Sequence, residues 1–156
     1  MRSIVLVAGL MTVPAAVSQQ QQKADVKPDP RLARLQQFFA TRDCPLQEAA
    51  ADFLAAADRY ALDWRLLPSI SFIESSGGKD YRNNNVFGWD SPLQSFSSVR
   101  EGIHYVAAQL ARSERYKNKS LDGKLRTYNP TPGYPGKVKA VMRTLAPSDS
   151  PADIVD

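Results

Sequence analysis

Leu66-Leu67-Pro68-Ser69-Ile70-Ser71-Phe72-Ile73-Glu74-Ser75-Ser76-Gly77-Gly78-Lys79, continuing as Asp80-Tyr81-Arg82-Asn83-Asn84-Asn85-Val86-Phe87-Gly88-Trp89-Asp90, contains the point where this chain changes rhythm. Its first half is apolar at helical spacing. Asp63 offers an N-cap, and Gly77 and Gly78 stop the helix at Ser75 or Ser76. Pro68 then falls in the first turn or kinks the helix. The second half is turn-forming: three consecutive asparagines, a short aromatic run and Asp90-Ser91-Pro92. Turn formers around Val86-Phe87-Gly88-Trp89 predict a small β-hairpin or irregular lobe.

Outward from that stretch the chain reads as helices. Leu32, Leu35, Phe38 and Phe39 recur at helix spacing behind Pro30, and Leu46, Ala50, Phe53, Leu54, Ala57 and Ala61 follow Pro45. Ser98-Val99-Arg100-Glu101 is a capping box, and Val99, Ile103, Val106, Ala107 and Leu110 give the helix after it an apolar face. A short helix is expected over Leu121–Tyr128. A last one is expected from Pro135 to Leu145, with Val138, Val141, Met142 and Leu145 inward. The pattern therefore sums to a mainly α fold, a helical body with one small β-hairpin lobe.

The termini read differently. Ile4 to Val17 is an apolar run behind Arg2, shorter than the ~20 residues that span a bilayer. It ends in small residues with Ala16 and Ser18 in cleavage-site positions, so residues 1–18 are expected to be a secretion signal. An uncleaved anchor or a buried N-terminal helix is the competing reading. Residues 19–30 are polar and proline-punctuated, a linker, and 147–156 are expected to form a disordered tail. The expected address is secreted or periplasmic, in the cell envelope, without stable membrane insertion.

The 156 residues suffice for one core, placed at 31–146. With 43% hydrophobic and 23% charged residues, disordered and multispan membrane classes are excluded. The single cysteine, Cys44, excludes an internal disulfide and a cysteine-based zinc cluster. The single histidine, His104, excludes a histidine-rich metal site. Neither carries an assigned role. A net charge of +4 without a dense basic block argues against nucleic acid. No metal or organic cofactor is expected, and the chain is expected to be a monomer.

Glu74 is the residue with chemistry. It lies four and seven residues after Ile70 and Leu67, on the face that should be buried, and at the helix C-terminus, where the dipole opposes a negative charge. Both placements disfavour the charged form. A carboxylic acid that keeps its proton is what cleavage of a glycosidic bond requires, because the leaving oxygen must be protonated. A glutamate in a last turn can also swing out to solvent, and spacing alone leaves both open.

Glu74-Ser75-Ser76-Gly77-Gly78-Lys79 followed by Asn84-Asn85-Val86-Phe87-Gly88-Trp89 resembles the signature of bacterial glucosaminidases of the lysozyme-like superfamily, glycoside hydrolase family 73 and relatives. The run Tyr128-Asn129-Pro130-Thr131-Pro132-Gly133-Tyr134-Pro135-Gly136-Lys137-Val138 is similar to a third element of that family, and Tyr128-Asn129 also resembles the Tyr-Asn motif of lytic transglycosylases. The resemblance covers about residues 45–146 and implies an α+β lysozyme-like fold, with a substrate groove flanked by the helical body and the β-hairpin lobe. It implies a peptidoglycan hydrolase that cuts a β-1,4 bond after N-acetylglucosamine, with Glu74 as catalytic acid and Tyr128 orienting the scissile sugar. Asp90 is the candidate for activating water. Family members often carry a glutamate in this lobe, and with none here the substrate's acetamido group or a muramic hydroxyl could act instead. Phe87, Trp89 and Tyr134 are candidate platforms for sugar faces. Ser75, Asn85 and Asn129 are counted among the substrate-binding residues. The rival readings are a lytic transglycosylase and a wall-binding module that holds glycan without cutting it.

Overall fold

Asp29 opens the first helix by accepting from the Arg31 N–H at 2.9 Å, with Pro30 in its first position. The computed structural model describes residues 28–90 and 94–146. Among them are α1 (Pro30–Ala40), a 3-10 turn (Pro45–Ala49), α2 (Ala50–Tyr60), α3 (Leu66–Ser75), α4 (Val99–Arg112), α5 (Leu121–Tyr128) and α6 (Tyr134–Leu145). The expected signal segment, most of the linker and the tail lie outside the described residues.

α1, α2, α4 and α6 each present one apolar stripe, while α3 is buried over most of its length. Leu35, Phe38 and Phe39 of α1, Phe53 and Ala57 of α2, Leu67 and Ile70 of α3, Ile103, Val106 and Leu110 of α4 and Val138 and Met142 of α6 are buried in one core. α2 packs on α4 and α3 on α6, with α1 closing over α2. Two arginines tie the ends. Arg31 bridges Asp29 and Asp58 at 2.7 Å each, joining α1 to α2. Arg65 pairs with Asp63 and donates to the Ala146 carbonyl at 3.0 Å, joining the start of α3 to the end of α6. Ser98 caps α4 as read, accepting from the Glu101 N–H at 3.1 Å, but the Glu101 carboxylate turns to the backbone and hydroxyl of Ser97, one residue earlier than a standard box.

The expected β-hairpin lobe is corrected: there is no strand among the described residues, and the architecture is all-helical. Residues 76–90 and 94–98 form turns and irregular chain instead. The reason is local. Asn83, Asn84, Gly88 and Asp90 all take φ between +50° and +57°, which breaks any extended run. Val86 and Phe87, adjacent in sequence, are both fully buried, whereas neighbours on a strand face opposite sides. Asparagine side chains replace the ladder. Asn85 accepts from the Trp89 N–H and donates to the Trp89 carbonyl, both at 3.0 Å, and Asn84 donates to the Phe96 carbonyl at 2.9 Å. This loop presses on α4 at Gly102, where an added Cβ would lie 2.9 Å from the Phe96 ring and 3.1 Å from the Asn84 carbonyl oxygen.

Candidate active site

The end of α3 is fixed from both sides. Ser75 donates to the Ser71 carbonyl at 2.8 Å and accepts from the Gly78 N–H at 3.1 Å, while its own carbonyl takes the N–H groups of Gly78, Lys79 and Asp80. Gly77, at φ +70°, lies so close to Cys44 that a Cβ there would fall 2.4 Å from its sulfur. The helix therefore stops one residue after Glu74, and Glu74 points where its last turn sends it.

Glu74 is half-buried, on the same face as the fully buried Ile70 and Leu67. Its Oε1 accepts from the Tyr134 hydroxyl at 2.6 Å. Its Oε2 faces Gly88, where an added Cβ would lie 3.7 Å away. One oxygen is thus occupied by a protein donor, and the other borders the loop. Tyr134 is the first residue of α6 and only 4% exposed. Its ring stacks on Tyr128, with centroids 6.0 Å apart and planes 9° from parallel. Tyr128, the last residue of α5, donates its hydroxyl to the Phe87 carbonyl. The Trp89 ring stands edge-on to Tyr128 at 5.6 Å and lies 5.8 Å from Tyr116.

This aromatic row leads from Glu74 to a cleft of about 480 Å³. Trp89, Tyr116 and Tyr128 line it, with Tyr105, Gln109 and Ser113 of α4 and its following turn along one side. Asp90 and Arg115 also line it. Glu74 is not itself part of the cleft wall; Gly88 and Tyr128 belong to both places, lining the cleft and bordering Glu74.

Electrostatics keeps the tyrosines as proton donors. Burial pushes the Tyr128 phenol well above its usual range, and the Glu74 charge adds to the effect. Tyr134 is raised by burial first and then by its hydrogen bond to Glu74. Tyr116 is raised by burial, with Arg115 opposing and Asp90 adding. Glu74 thus acts on Tyr128 and Tyr134 while Asp90 acts on Tyr116, at the other end of the row.

Several expected ligand contacts are corrected by these positions. Ser75 is 2% exposed and its hydroxyl is used up inside the chain. Asn85 is buried and holds the loop together, and Phe87 is fully buried against Phe53. Asn129 makes an Asx turn, accepting from the Thr131 N–H at 3.0 Å. Tyr134 holds the carboxylate and presents no open face for a sugar. Glu74, Tyr128, Trp89 and Asp90 remain at or beside the cleft. The sequence reading missed Tyr105, Gln109 and Ser113, although their spacing of four along and just past α4 was a readable face, and it missed Tyr116 and Arg115, which follow α4 in an irregular turn.

Cys44 is buried, donates weakly to the Arg42 and Ser76 carbonyls, and has its thiol pushed up by burial. His104 is half-buried and packs edge-on to Tyr60 of α2 at 6.3 Å, with its Nδ1 buried and without a hydrogen-bond partner among the described residues. Among the described residues no group of three His, Cys, Asp or Glu side chains could hold a metal ion, and no helix is long and apolar enough to cross a membrane. Compared with known proteins, the chain matches no family model and no curated sequence.

Proposed function

We propose that this protein is a cell-envelope glycosidase that cleaves β-1,4 bonds in the glycan strands of peptidoglycan, with Glu74 as the general acid. The observation that carries the reading is a carboxyl group at a helix end, held on Oε1 by a buried tyrosine hydroxyl, with Oε2 facing Gly88, a residue of the loop that lines an aromatic cleft. Such a group can deliver a proton to a leaving sugar oxygen from Oε2 without losing its orientation. Trp89 and Tyr105 offer ring surface of the kind that packs on the apolar faces of pyranoses.

Tyr134 orients Glu74, whereas Asp90 is exposed at the end of the loop, which favours a mechanism with one protein carboxyl. In it, the nucleophile comes from the substrate, as its acetamido oxygen or its muramic 6-hydroxyl. The second alternative is a transglycosylase, and the same observation supports it. Digestion of purified sacculi distinguishes them: reducing N-acetylglucosamine ends mark the hydrolase, and 1,6-anhydromuramic ends the transglycosylase. Glu74→Gln is expected to abolish clearing of sacculi in a folded protein. Clearing by the variant at the wild-type rate would move the chemistry away from Glu74, and no clearing by the wild type would leave a binding module.

A further inference from the structure

We infer that the outer end of the cleft recognises a carboxylate carried by the glycan strand, with Arg115 as the residue that selects for it. The inference rests on the glycan-cleaving reading and adds a charge requirement to it. Arg115 follows α4 in a turn closed by hydrogen bonds from the Tyr116 and Lys117 N–H groups to the Ser113 carbonyl, both 2.9 Å. Its guanidinium is oriented from two directions. It donates to the Thr127 carbonyl at 3.2 Å and lies over the Tyr116 ring at 5.7 Å. Arg115 makes no ion pair among the described residues, and of the arginines without one it is the one that lines this cleft. Most of its donors are unused and open to the cleft.

Asp90 lines the same cleft and stays unpaired with Arg115. The cleft therefore holds a separated cation and anion around aromatic surface. A sugar hydroxyl suits Asp90, and a planar carboxylate suits the guanidinium fork. A neutral strand of N-acetylglucosamine would leave Arg115 unanswered. A peptidoglycan strand supplies carboxylates from two sources, the lactyl group of muramic acid or the attached peptide.

The test is binding to the full chain carrying Glu74→Gln, which keeps ligands intact, followed by tryptophan fluorescence. Three probes are used: neutral N-acetylglucosamine oligomers, peptide-free strands with lactyl carboxylates, and peptide-bearing strands. With Arg115 in place, an anionic strand is expected to bind about tenfold more tightly than the neutral one. Arg115→Gln should erase that preference, so that anionic and neutral strands bind alike, and Arg115→Lys should restore part of it. A preference for peptide-free strands assigns the lactyl carboxylate, and one confined to peptide-bearing strands assigns the peptide. Equal binding of neutral and anionic strands, or a preference that survives Arg115→Gln, overturns the inference and leaves the glycosidase reading standing. Failure to bind any of the three overturns both.

Discussion

Replacing Tyr134 with phenylalanine removes one oxygen and leaves the ring that stacks on Tyr128. That oxygen donates to Glu74 at 2.6 Å from a side chain only 4% exposed. Hydrogen bonds to charged groups are worth ~1.5–3 kcal/mol net, and the half-buried state of Glu74 moves the expectation to about 1–2 kcal/mol. The assay is a double-mutant cycle by urea unfolding on wild type, Tyr134→Phe, Glu74→Ala and the double variant. The coupling energy should fall in that range. The same loss of orientation is expected to slow clearing of sacculi by about 5- to 30-fold, at 1.36 kcal/mol for each factor of ten. A coupling below about 0.5 kcal/mol would refute the pairing. A normal coupling with undiminished activity would show that the bond serves stability alone.

Gly77→Ala is expected to destabilise by about 2–5 kcal/mol, combining a left-handed backbone with the crowding against Cys44, while Gly133→Ala, at φ +82° with nothing within 4 Å, should lose only about 1–2 kcal/mol. Equal losses in denaturant titrations would remove the crowding argument. Tyr116, Tyr128 and Tyr134 have phenols raised above the value of ~10 that they take when unfolded, so the stability they contribute is whole below about pH 10 and is lost as pH rises through their folded values. Difference titration of phenolate absorbance between wild type and Tyr128→Phe should show the missing step only with unfolding; a step near pH 10 in folded protein would contradict the buried placement.

Local sequence decided what local physics decides. α5 runs Leu121–Tyr128 as read, α4 starts after Ser98, and Glu74 lies on the stripe of Leu67 and Ile70 because helical geometry allows little else. The loop defeated the reading because turn formers flanking an aromatic run suit a hairpin and a packed irregular segment equally. The choice depends on whether Val86 and Phe87 both find room in the core, which is a tertiary matter. Ser75 and Tyr134 were misjudged for a related reason. A hydroxyl in a motif carries no sign of whether it faces inward, and Tyr134 meets its partner 60 positions away. Tyr105, Gln109 and Ser113 had a readable signal, but attention to the buried stripe of α4 passed over the face beside it.

The cleft stands between two separately braced pieces. α4 carries the anchor of the loop at Gly102 and, from its next turn onward, the cleft side at Tyr105, Gln109 and Ser113, so loop and wall share one support. The carboxyl belongs to the other piece, where α3 packs on α6 and Tyr134 at the head of α6 holds Glu74. Tyr128 joins them, stacking on Tyr134 on one side and donating to the Phe87 carbonyl of the loop on the other. Tyr128 is therefore one contact through which the piece that holds Glu74 meets the loop, beside the core that both share. Under the proposed function this gives Tyr128 a positioning role that needs no contact with the scissile bond: its hydroxyl, kept protonated by burial, holds the loop at Phe87 beside the ring that packs on Tyr134.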